Sequence, residues 1–145
     1  MDTQISRRLK MLGMILFLLG LLNGFILMQL KNPRMGLAAH LEAVMNGTFL
    51  VVCGFIWNEL HLSNSLRKIL LVILIYGAFS NWIFTLLSAV FGTSQTTPIS
   101  GAGFTGTTIQ ENLVTAGLAS VGITMLFSLL IIIYGLRGKP EEAKN

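Results

Sequence analysis

One stretch of this sequence gathers groups that could do chemistry where water is scarce. Residues 38–47 read AAHLEAVMNG, with His40, Glu42 and Asn46 inside a long apolar run. Ionisable and amide groups are costly in a hydrocarbon layer, and those that persist there face an interior and carry function. Wound at about 100° per residue, the run separates into two faces. Gly36, His40, Ala43, Gly47 and Gly54 fall near one line, and Glu42, Asn46 and Cys53 near another. The first face sets an imidazole among small residues. A flat, wide group could lie against it, and haem is such a group, needing only one protein ligand. With no C-x-x-C-H motif it would be haem b, not covalently attached. Two other readings stay open. His40 could hydrogen-bond a neighbouring helix, or three chains could pool their His40 side chains around one metal.

A second polar stripe lies further on. Gly77, Asn81, Thr85 and Ser88 share a helical face, with Tyr76, Ser80 and Trp82 near it. Asn81 could act inside a bundle or serve as interhelical glue. Gln110 and Glu111 open the last apolar run, where an acidic residue suits a helix N-terminus and Glu111 is expected to cap. Other signals are discounted. GAGFTG at 101–106 matches G-x-G-x-x-G but lacks the strand and the later acidic residue of a dinucleotide site. The Asn46-Gly47-Thr48 sequon lies inside an apolar run. Cys53 reads as a small buried hydrophobe, and His61 as a solvated loop residue.

These groups need elements to hold them. The chain has 145 residues, 53% hydrophobic and 11% charged, with a mean hydropathy of +0.74. A water-facing domain carries about a quarter charged residues. One cysteine excludes a disulfide framework and multi-thiolate sites within a chain, and two histidines exclude a one-chain three-histidine zinc site. Four apolar runs, 11–30, 35–57, 69–91 and 113–136, each match the roughly 20 residues a helix needs to cross a bilayer. In lipid the backbone must satisfy itself, so the fold is expected to be all-α. It reads as a four-transmembrane-helix bundle in a single domain over 1–145, with helices near 8–30, 35–60, 66–91 and 111–137. Arg7, Arg8, Lys10, Arg67, Lys68, Arg137, Lys139 and Lys144 fall on one side, against Lys31 and Arg34 on the other. That imbalance puts both termini in the cytoplasm and argues for membrane orientation, not nucleic-acid binding. Gly20 and Gly24, with Gly13 before them, offer a small-residue face for helix packing. The loop 92–110 is long, uncharged and rich in Gly and Thr. It is either a disordered external loop or a lid. The tail 138–145 is expected to fray.

HLEAVMNG at 40–47 resembles the helix-2 signature of the hydroxylaminobenzene mutase and styrene oxide isomerase group. The stripe around Asn81, the TPISGAGFTG loop (97–106) and the Gln110-Glu111 pair look most like the mutase branch. The resemblance covers nearly the whole chain. It implies a multi-pass isomerase of the bacterial inner membrane, a homotrimer with ferric haem b at the subunit interfaces. It implies that His40 holds the iron, with Gly36, Ala43 and Gly47 beside the haem, and that Asn46 places the substrate oxygen, helped by Asn81. Thr85, Trp82, Tyr76 and Gln110 are expected around a small aromatic substrate. The epoxide branch has a tyrosine about one turn after the helix-3 asparagine, where this chain has Thr85. That difference favours aryl hydroxylamines, rearranged to aminophenols with ferric haem as Lewis acid and no net redox change, over styrene oxide. The reading from another class is a non-enzymatic four-helix membrane protein or small transporter. Small multidrug transporters carry a carboxylate in the first helix, and the first run here has none.

Overall fold

The computed structural model describes residues 2–138. The remaining tail, with Lys139 and Lys144 of the orientation argument, lies outside the described residues. Five α-helices follow in order: α1 Asp2–Ile26, α2 Pro33–Ile56, α3 Asn64–Phe91, the short α4 Pro98–Gly101 and α5 Thr108–Leu136. Single 3-10 turns, Leu27–Gln29 and Trp57–Glu59, extend α1 and α2. Four of the helices are long and apolar enough to cross a membrane, and the described residues contain no strand. α1 begins well before the expected residue 8, because its polar first turns continue the same hydrogen-bonded ladder beyond the apolar run.

The main packing follows chain order, α1 on α2, α2 on α3 and α3 on α5. α2 and α3, which carry the polar residues singled out above, therefore sit in the middle. The outer faces of α1 and α5 present side chains such as Leu18, Phe25, Leu126 and Phe127 to the surroundings. In water that would be a liability. In a bilayer it is the lipid-facing surface.

Glycines set how closely α1 and α2 approach. A Cβ built on Gly13 would lie 2.5 Å from the Gly47 carbonyl oxygen, and one on Gly47 would lie 2.7 Å from the Phe17 amide nitrogen. Gly20 meets Ala43 in the same way, with a built Cβ 2.8 Å from the alanine's own. Small residues at such a seam bring backbones into van der Waals contact, the main attraction left between helices once lipid replaces water. Hydrogen bonds stitch the seam at three levels. The Ser6 hydroxyl donates to the Gly54 carbonyl (2.6 Å), His40 Nδ1 bonds the Gly20 carbonyl (2.7 Å), and Asn23 Nδ2 donates to the Gly36 carbonyl (2.9 Å).

The turn between α1 and α2 is built on Asn32. Its side chain accepts from the Arg34 and Met35 amides, capping α2, and Pro33 follows at a position that needs no amide donor. Its own amide donates to the Ala89 carbonyl of α3 (2.9 Å). α3 ends at Gly92, whose φ of 68° is left-handed and suits glycine.

Substituting Gly47→Leu should force α1 and α2 apart and cost about 1–3 kcal/mol or more. Gly122→Leu, where an added Cβ meets nothing within 4 Å, serves as the control. Thermal unfolding in detergent should show a clearly lower Tm for Gly47→Leu and little change for Gly122→Leu. Equal Tm values for the two variants would contradict the seam.

Candidate functional site

α2 is the least apolar of the four spanning helices, and its polar groups divide between two neighbours. His40 is half-buried on the flank that meets α1. A carbonyl can only accept, so the bond to Gly20 fixes Nδ1 as the protonated ring nitrogen. Gly24 permits the approach, since a Cβ there would lie 3.1 Å from Nδ1. A metal-ligating histidine has this arrangement: one ring nitrogen donates to a carbonyl and fixes the tautomer, and the other keeps its lone pair. Nε2 is the nitrogen left for a ligand. Among the described residues no group of three or more His, Cys, Asp or Glu could hold a metal ion. A metal at His40 would therefore draw on fewer than three such ligands from the chain, and haem iron needs only one.

The small residues around His40 have a partner of their own. Gly47 and Ala43 abut α1, and Gly36 packs on Leu27 and Leu30 just beyond the end of α1. Of the two objects that face could receive, a haem or a helix, the chain supplies the helix. The hydrogen bond from His40 to a neighbouring helix, one of the open sequence readings, is present as well.

The other flank of α2 meets α3. Here Asn46 Nδ2 donates to Glu42 Oε2 (3.2 Å), and Asn81 Nδ2 donates to the same oxygen (2.6 Å). The structure thus joins the two asparagines chosen from the sequence through a carboxylate to which the sequence reading gave no role. A signal was present, because Glu42 and Asn46 stand four residues apart on one helical face. The reach of Asn81 across to Glu42 depends on how α3 is rotated, and nothing local encodes that. Asn46 is buried at 8% exposure, and Glu42 and Asn81 are half-buried. Within one chain, His40 and this triad lie on different flanks of α2.

The remaining expected site residues do not converge. Tyr76 bonds Ser120 of α5 through its hydroxyl (2.7 Å), and Thr85 is buried at 5% exposure. Trp82 lines an apolar groove of about 410 Å³ between α1 and α3, with Leu19, Leu22 and Asn23. Asn46, Asn81 and His40 are not in its lining. Gln110 completes a capping box with Thr107, accepting from the Thr107 amide. Cys53 is a buried free thiol, and exposed His61 lies at the opposite end of the helices from the 31–34 turn.

The loop between α3 and α5 is held from both ends. The Glu111 carboxylate accepts from the Ser94, Gln95 and Gly106 amides, so it ties loop to loop and leaves capping to Thr107. The Lys31 ammonium donates to the Phe91 and Thr105 carbonyls, Asn32 Nδ2 to Ser100, and Arg34 to Ala102. Arg34 also lies over the Phe104 ring, 5.7 Å from its centroid. Low charge along the loop suggested disorder as one option. Its backbone groups instead find charged partners elsewhere in the chain, and a cover pinned over the loop end of the helices results.

Comparison with known proteins bears on this geometry. Residues 5–137 match the family model described as styrene oxide isomerase. The chain is 43% identical over 142 residues to hydroxylaminobenzene mutase HabB of Ectopseudomonas oleovorans, across 97% of this chain and 87% of that protein. It is 35% identical over 125 residues to hydroxylaminobenzene mutase HabA of the same organism, across 86% of this chain and 93% of that one. No solved structure matches the chain.

Removing the clasp should free the cover. In Glu111→Ala, the amides of Ser94, Gln95 and Gly106 should exchange with solvent at least about 10-fold faster, the loss of one charge-assisted bond of roughly 1.5 kcal/mol. Hydrogen exchange read by mass spectrometry should show this in peptides spanning 92–107 and not in α2. Unchanged exchange there would mean that the loop is held without Glu111.

Proposed function

This chain belongs to the styrene oxide isomerase family and is an isomerase, and from that premise we propose that it rearranges aryl hydroxylamines such as hydroxylaminobenzene to aminophenols. The observation that carries the substrate class is the 43% identity to a hydroxylaminobenzene mutase across nearly the whole chain. Thr85, standing where the epoxide branch has tyrosine, favours the same branch. The setting is a bacterial inner membrane, and the assembly is a homotrimer with one haem b at each subunit interface.

The reaction balances without an oxidant or reductant. The N–O bond breaks, a C–O bond forms on the ring, and the ring carbon gives up a proton as the amine gains one. His40 would hold the haem through Nε2, with Nδ1 tied to Gly20. Bound there, the haem supplies a ferric Lewis-acid centre for the breaking N–O bond, with no net change of oxidation state. Asn46 and Asn81 each keep one amide hydrogen beyond the bond to Glu42, and these hydrogens steady the oxygen as negative charge grows on it. The apolar surroundings take the arene and keep water away from the reacting centre. Because His40 and Asn46 occupy different flanks of α2, a site that uses both takes His40 from one chain and Asn46 from a neighbour. This supports an interface site over one enclosed within a chain.

The purified ferric protein should convert phenylhydroxylamine to aminophenol with no added reductant. His40→Ala should lose both the Soret band and activity, with helical circular dichroism unchanged. Asn46→Ala should keep the band and lose roughly 10²–10³-fold in kcat, as when an oxyanion donor is removed. A colourless wild-type protein with full activity would refute the haem assignment. Turnover of styrene oxide alone would move the chain to the epoxide branch, and strict dependence on a reductant would refute the redox-neutral reaction.

A further inference from the structure

Both amides of the triad hand their nitrogen to a single carboxylate oxygen. Asn46 Nδ2 lies 3.2 Å and Asn81 Nδ2 2.6 Å from Glu42 Oε2, from two different helices. A carboxylate oxygen accepts and cannot donate, so it dictates which end of each amide faces it. The nitrogen ends turn inward. The two carbonyl oxygens, on the other branch of each amide, are turned away from Glu42. Neither is among the buried polar atoms that lack a partner, and neither makes a hydrogen bond to another described residue. The second hydrogen of each nitrogen lies on the same side as its carbonyl oxygen, and if Glu42 were apolar each amide could rotate by half a turn and lose that fixed arrangement.

We propose that Glu42 is a positioning residue that selects for substrates carrying hydrogen-bond donors, by fixing Asn46 and Asn81 with their carbonyl oxygens outward. This rests on the functional reading above, in which those asparagines meet the substrate. An N-aryl hydroxylamine has an N–H and an O–H to give to such acceptors. An epoxide, or an aryl ether, has none. A site whose polar groups are built for donors discriminates strongly against an isostere that lacks them, because the acceptors are then left unpaired. Glu42 thereby supplies substrate preference without touching the substrate.

The test compares Glu42→Leu and Glu42→Gln with the wild type. Dissociation constants are measured for phenylhydroxylamine and for anisole, an arene of similar size with no donor. Working with binding keeps the result independent of turnover, and turnover of phenylhydroxylamine by the wild type tests the functional reading separately. In Glu42→Leu the preference for phenylhydroxylamine over anisole should fall about 10-fold, the equivalent of one or two well-made hydrogen bonds. Glu42→Gln keeps a carbonyl acceptor within the same reach and should restore most of it. A purely structural role would weaken both ligands together and leave the ratio unchanged. An unchanged ratio in Glu42→Leu overturns the proposal, and so does a Glu42→Gln variant as impaired as Glu42→Leu, since charge and not acceptor geometry would then be at work. If Glu42→Leu does not accumulate, Glu42→Ser, too short to reach either amide, reads the same ratio.

Discussion

In a hydrocarbon layer a polar group without a partner costs several kcal/mol, and that penalty fixes how α2 sits in this protein. α2 carries an imidazole, a carboxylate and an amide in one apolar span. Each finds its partner inside the chain: His40 on the Gly20 carbonyl of α1, and Glu42 on the amides of Asn46 and Asn81. α2 cannot rotate without losing one set or the other. α1 must stay close enough to offer a carbonyl, which the glycines at 13, 20 and 24 allow. α3 must keep Asn81 turned toward α2. The same requirement places α2 between α1 and α3.

That pairing also divides the chemistry. One flank of α2 holds a histidine with a fixed tautomer and one nitrogen to spare. The other holds a carboxylate that orients two amides. At the loop end Lys31, Asn32, Arg34 and Glu111 take up the backbone groups of the 92–107 segment, so the cover there is tied to the α1–α2 turn and to the first turn of α5. Motion of that cover would require breaking charge-assisted bonds at both of its ends. The rest of the surface around the spans is apolar and asks only for lipid or another copy of the chain.

Much of this was legible in the sequence, and the reason is periodicity. Apolar runs of bilayer length give the four helices. The glycines of the first run announce a close contact, and His40 and Asn46 stand out because polarity in such a run is costly. Three features were not legible. The role of Glu42 depends on Asn81, 39 residues away, and on a rotation of α3 that its own sequence does not set. The small residues beside His40 were equally suited to a haem or a helix, and only the packing of α1 decides between them within the chain. Glu111 read as a cap because acidic residues suit helix N-termini. Its acceptors instead serve the amides of a distant loop end, while Thr107 and Gln110 do the capping.

As proposed, the two flanks of α2 complete one site only when two chains meet. Co-expression of His40→Ala and Asn46→Ala chains in equal amounts tests it most directly. Each variant alone is inactive or nearly so. In mixed closed rings, the interfaces that join an intact His40 of one chain to an intact Asn46 of the next should number about one in four, and activity should recover to roughly that fraction of wild type. If the mixed assemblies form and carry haem but show no more activity than the two single variants, the site lies within one chain and the account is wrong.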